Sequence, residues 1–95
     1  MISKILEAST VHMPEGLDRE LHRSENLCRI LGAQPLDVGW LFFVRESDSD
    51  YDEVPSDKWN VTKPLIEMAR SEGAAFILLD PAAPIVDGLP EYDWE

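Results

Sequence analysis

Two short runs dominate what this chain can become. Trp40 to Val44 reads W-L-F-F-V and Ala75 to Leu79 reads A-F-I-L-L, so both alternating faces of each run are apolar. A strand with one wet face alternates apolar and polar residues, whereas one covered on both sides or central in a sheet does not. These runs therefore predict two inner strands, and the rest of the chain must supply the layers and edges around them.

Punctuation divides the remainder. Ile2 to Val11, with apolar residues at 2, 5, 6, 8 and 11, predicts a first strand closed by Pro14 and Gly16. From Leu17 the apolar positions 17, 21, 27, 28, 30 and 31 recur at helical spacing, with Asp18, Arg19, Glu20, Arg23 and Glu25 on the opposite face. That predicts one helix, stopped by Gly32 and barred from continuing by Pro35. Gly39 offers a turn or bulge that would split a short edge segment from the strand beginning at Trp40. A second helix has Ser56, Asn60 or Thr62 as its cap. Pro64 lacks an N–H and is best tolerated in a first turn, which favours Thr62. Leu65, Ile66, Met68 and Ala69 would then face the core, and Gly73 would end the helix.

The order is β-α-β(β)-α-β, with Ile85, Val86, Leu89, Tyr92 and Trp94 too apolar for a solvated tail. The expectation is an α+β fold: a small mixed sheet of three to four strands, two helices packed on it, and a docked irregular C-terminal tail. At 95 residues, 44% apolar and 28% charged, the chain reads as a single domain over 1–95. No apolar run approaches the roughly 18 to 20 residues a membrane helix needs.

Charge restricts the partners. Nineteen acids against eight bases give a formal charge of −11, and the bases are scattered. A direct nucleic-acid or membrane-surface partner is disfavoured, and a basic protein surface is implied. Cys28 stands alone, so no intrachain disulfide forms, which fits a cytoplasmic location. It reads as a small apolar residue of a helix face.

The chemical motifs are sparse. Asp48, Asp50 and Asp52 match the first ligand positions of a calcium loop, but Glu53 stands where that turn wants glycine and Trp59 where it needs a bidentate glutamate. The segment from Glu46 to Asp57 is expected to be a loop whose mutual repulsion disfavours compact structure. Ser9, Thr10 and His12 form S-T-x-H, and strand alternation would set Thr10 and His12 on one face. Gly-rich phosphate loops, Cys/His metal spacings and G-x-S-x-G elbows are absent from the sequence, so neither a cofactor nor a metal ligand is assigned.

S-T-x-H at Ser9 to His12, Gly39-Trp40, Ala69-Arg70 before Gly73, Asp80, and the ending Gly88-Leu89-Pro90-x-Tyr92-Asp93-Trp94 together resemble the bacterial domain-of-unknown-function family DUF5983. The ending is the most specific part. The segment between Leu31 and Gly39 and the long acidic loop depart from the family pattern. The resemblance implies small acidic proteins of plasmids and integrated elements, sometimes near toxin–antitoxin or anti-restriction genes, and it implies no activity. Two functional expectations follow. The first is a non-enzymatic protein-binding module with an anti-defence, immunity or toxin–antitoxin-associated role, acting as a nucleic-acid charge mimic or by contacts through Asp48, Asp50, Asp52, Glu53, Tyr92, Asp93 and Trp94. The alternative is a small hydrolase or metal-dependent enzyme using His12 with nearby hydroxyl or carboxylate groups. For the family residues themselves the bland expectation is fold maintenance, with Arg70 pairing with Asp93 or another tail acid.

Overall fold

Ser9 ends the first strand sooner than its apolar pattern implies. Its Oγ accepts the Val11 N–H at 3.3 Å and turns the chain into a 3-10 turn over Thr10–His12. A side-chain oxygen that satisfies a local N–H competes directly with the sheet ladder. In the computed structural model, which describes residues 4–93, strand β1 is therefore Lys4–Ala8, and Thr10 and His12 do not share a strand face.

Serine acts again at Ser24. Its Oγ accepts the Leu27 N–H at 3.1 Å, so the expected single helix is two: α1 (Glu15–Arg23) and α2 (Glu25–Leu31). Gly32 closes α2 at a φ of 68°, as the stop signal implies. Strand β2 (Ala33–Pro35) and strand β3 (Trp40–Phe43) follow, split before Gly39. A 3-10 turn over Asp48–Tyr51 leads into helix α3 (Ser56–Ser71), and strand β4 (Ala74–Leu79) completes the sheet.

Helix α3 starts six residues before the expected Thr62 cap and carries Pro64 in its interior. Proline there removes the bond to the carbonyl four residues back, that of Asn60. Tertiary burial of Thr62, Leu65, Ile66 and Ala69 outweighs that local cost, and Thr62 donates its hydroxyl to the Lys58 carbonyl at 2.7 Å. Replacing Pro64 with alanine is expected to stabilise the chain by about 1 to 2 kcal/mol, the restored helix bond less the unfolded-state restriction proline supplies. A higher urea midpoint at unchanged slope checks it.

The sheet order is β1-β4-β3-β2, with β1 and β4 parallel and the other pairs antiparallel. The two doubly apolar runs are its central strands, one of the two arrangements their pattern allowed. One face is covered on its inner side by all three helices. Leu6, Ala8, Trp40, Phe42, Ile77 and Leu79 form a single core with Leu17 and Leu21 of α1, Leu27, Ile30 and Leu31 of α2, and Leu65, Ile66 and Ala69 of α3. The fold is thus an α+β two-layer arrangement of a four-stranded mixed sheet and three helices, one helix more than expected. The other face carries Ile5, Leu41, Phe43, Phe76 and Leu78, paired across β1, β4 and β3, with exposed Glu7 beside Leu78 at its β1 edge. Ile5 is 47% and Phe43 43% exposed, and the Phe43 and Phe76 rings meet edge to face at 5.2 Å.

After β4 the chain turns on Asp80, whose Oδ1 accepts the Ala82 N–H at 2.8 Å. The segment that follows is irregular but docked, with Leu89 buried among the core residues. No helix of the described residues is long and apolar enough to cross a membrane.

Candidate functional site

Parallel pairing of β1 with β4 brings their carboxyl ends together, and antiparallel β3 adds its amino end beside them. Ser9, Thr10 and His12 follow β1, Asp80 follows β4, and Gly39 and Trp40 open β3. Most of the sequence-selected residues therefore gather at one end of the sheet. In open parallel α/β sheets ligands bind beyond the carboxyl ends of the strands, and the β1–β4 pair reproduces that local geometry.

Each residue has a definable task there. Gly39 has a φ of 86°, and a Cβ on it would sit 1.8 Å from the Leu79 carbonyl oxygen, so the backbones of β3 and β4 approach closer than any side chain permits. Trp40, buried, donates its indole Nε1–H to Asp18 Oδ1 at 2.7 Å. His22 Nε2 lies 3.4 Å from the same oxygen, and the His22 ring lies 4.7 Å from the Trp40 ring.

His12 is 1% exposed, and both ring nitrogens are engaged by main chain of the tail. Nε2 accepts the Val86 N–H at 2.9 Å, so Nδ1 carries the proton and donates it to the Pro90 carbonyl at 2.8 Å. A base needs a free nitrogen facing substrate. Here both nitrogens are engaged, and they hold the tail as a latch. Tyr92 adds a second fastening through its N–H to the Val11 carbonyl at 2.7 Å. Gly88 and Leu89 lie within the latched segment, and Asp93 is exposed at its end. Trp94 lies outside the described residues.

The acidic segment occupies the opposite end of the sheet, and it is not a repelled loop. Asp48–Tyr51 is a 3-10 turn with a capping box in which Ser47 Oγ caps the turn and Asp50 Oδ2 accepts the Ser47 N–H at 3.3 Å. Arg45 fastens the turn to α2. Its Nη1 donates to the Ile30 carbonyl at 2.6 Å and the Asp50 carbonyl at 3.0 Å, and Nη2 donates to the Arg29 carbonyl at 2.9 Å. Arg70 meets no tail acid among the described residues. Its Nε and Nη2 donate to the Arg45 carbonyl at 3.0 and 2.8 Å, and its Nη1 pairs with Asp48 at 2.5 Å. Tyr51 is buried, lies stacked 4.7 Å from Trp59, and donates its hydroxyl to the Phe43 carbonyl at 3.2 Å. Cation anchoring and aromatic burial outweigh the repulsion among carboxylates that charge counting alone suggests. Asp52 and Glu53 stay exposed beyond the anchored turn.

Nearby, Lys58 Nζ bridges Glu20 and Asp57 at 2.8 Å each, tying α1 to α3. The hydrogen bond Lys58 donates to Asp57, then that to Glu20, raises the Lys58 ammonium above its ordinary value, and the bond from Lys58 holds the Asp57 carboxyl below its own. The stabilisation from Asp57 is present above the ordinary aspartate range and is lost as pH falls through its lowered value. Cys28 is half-buried with its thiol donating to the Leu21 carbonyl at 3.1 Å. Burial, then Glu25, pushes its pKa up, which disfavours the thiolate.

Sequence reasoning missed Asp18, Arg45 and Tyr51. Tyr51 had a visible signal, a large aromatic in the middle of an acidic run. Asp18 and Arg45 had none for the partners that fix them, the Trp40 indole and the α2 carbonyls, which are distant in sequence.

Comparison with known proteins adds a family and nothing further. A family model described as "Family of unknown function (DUF5983) C-terminal domain" matches residues 5–94. No curated protein and no solved structure matches the chain.

Proposed function

Because the chain belongs to the DUF5983 family, whose function is unknown, we propose from its own geometry that it is a non-enzymatic protein-binding module that presents an acidic face to a basic protein surface. One observation carries the reading: Arg45 and Arg70 anchor the acidic turn through main-chain carbonyls and leave the carboxylates of Asp52 and Glu53 exposed. A preformed charged surface loses little entropy on binding and steers an oppositely charged partner. With a formal charge of −11 the molecule also suits a competitor for a nucleic-acid-binding surface. A cytoplasmic setting, carriage on a mobile element and an anti-defence, immunity or toxin–antitoxin-associated role form the finer part of the same proposal.

Affinity capture from cell extract, with the full chain as bait, tests it. A specific protein is expected to be retained at about 0.05 M salt and released at about 0.5 M, where the screening length falls to a few ångströms. The exposed-charge variant Asp52→Asn/Glu53→Gln is expected to retain markedly less of the same protein at low salt. Absence of any retained protein in both conditions, or equal retention by the variant, would overturn the reading.

A further inference from the structure

Asp18 is a surface carboxylate held in one posture by the core. Trp40 Nε1 and His22 Nε2 both converge on Oδ1, at 2.7 and 3.4 Å, and no described donor is placed on Oδ2. The side chain is 22% exposed and lines a cleft of about 410 Å³ at the carboxyl ends of β1 and β4. The other walls are the aliphatic Val11, Val38 and Pro81, with Thr10 and the Ser9 and Gly39 segments between them. Beyond the Val38 wall, Asp37 and Asp80 line an adjoining depression, and neither lining includes a lysine or arginine.

The chemistry of such a cleft selects its occupant. Phosphates and carboxylates are repelled by three carboxylates on a molecule of charge −11. An aliphatic stem that ends in a cation matches both the apolar walls and the charge. Arginine binds carboxylates best through a two-pronged fork, and Asp18 has one oxygen already taken by Trp40. A compact ammonium needs only the remaining oxygen, and Thr10 stands in the same lining. We propose that this cleft is a receptor for a single lysine side chain, with Asp18 as the charge partner and Val11, Val38 and Pro81 covering its methylenes. That the lysine belongs to a basic partner protein rests on the functional reading above; the cleft itself does not.

Titration of the full chain with Nα-acetyl-lysine methylamide, followed by amide and indole NMR shifts, tests the proposal. Saturable shifts are expected at the Trp40 indole N–H and at the Thr10, Val38 and Gly39 amides, and not at the acidic turn. The neutral norleucine analogue is expected to give none, and the arginine analogue to bind more weakly than lysine. Asp18→Asn keeps an oxygen for the Trp40 N–H while removing the charge, and is expected to weaken lysine binding at least about tenfold. Val38→Lys, at an exposed position, is expected to abolish binding with the fold intact. Equal binding of norleucine, full binding by Asp18→Asn or Val38→Lys, or shifts confined to the acidic turn would overturn the receptor. The Asp52→Asn/Glu53→Gln variant separates the two ideas, because it is expected to titrate with lysine as the parent does while failing in capture.

Discussion

Gly39→Ala is expected to lower stability by at least about 3 kcal/mol, which for a domain whose total stability is of order 5 to 10 kcal/mol leaves it barely folded. Two costs combine. The residue sits at a φ of 86°, where an L side chain is strained by roughly 1 to 2 kcal/mol. The added Cβ would also meet the Leu79 carbonyl oxygen at 1.8 Å, with the Leu79 carbonyl carbon at 2.9 Å. Both are backbone atoms of a central strand and cannot rotate away, so β3 and β4 must separate where Trp40 pairs with Leu79. Gly16→Ala in α1 is the matched control, because nothing lies within 4 Å of its Cβ and alanine is the better helix former. Urea melts of both variants check the contrast. A Gly39→Ala protein as stable as the parent would show that β3 and β4 do not approach so closely.

His12→Phe is expected to cost about 2 to 5 kcal/mol, because the ring shape is kept while a buried N–H at Val86 and a buried carbonyl at Pro90 lose their partners. Removing residues 88–95 is expected to cost more than about 1 kcal/mol through the loss of buried Leu89 and of the Tyr92 N–H bond. The two changes act on one latch and should not add. In the truncated chain the Pro90 carbonyl is already gone, so the extra loss on His12→Phe should shrink. A double-mutant cycle of urea midpoints reads this directly. If the truncated chain melts like the parent but loses a binding partner, the ending is an interaction motif and the latch account is wrong.

Much of the scaffold was legible because it is written in local pattern. The runs at 40–43 and 75–79 announced the inner strands, and Gly32 announced a helix end. Other features failed for physical reasons. The interval of six between Leu21 and Leu27 breaks the helical spacing of apolar residues, and Ser24 at its centre caps a new helix, yet a continuous charged face masked the break. At Pro64 a sound local rule lost to tertiary burial of the residues around it. The acidic segment was judged by the number of its charges, whereas its shape depends on Arg45 and Arg70, which reach it from β3's exit and from α3. The partners of His12 are carbonyl and amide groups some 75 residues downstream, which no side-chain pattern in S-T-x-H reveals.

The bare sheet face gives the charge excess a second meaning. Ile5 and Phe43 stand exposed beside the half-buried Leu41, Phe76 and Leu78, an apolar patch edged by Glu7, and such patches draw copies of a protein together. Like charges oppose that approach over about a Debye length. At neutral pH the formal charge of −11 acts as a colloidal barrier, holding neighbouring copies beyond the range at which their aromatic faces could touch. The barrier shrinks as the solution nears the isoelectric point of about 4.4, or as salt is raised. Acidity of the surface and openness of the sheet are in this sense one property, and a variant that neutralised the first without covering the second is expected to self-associate.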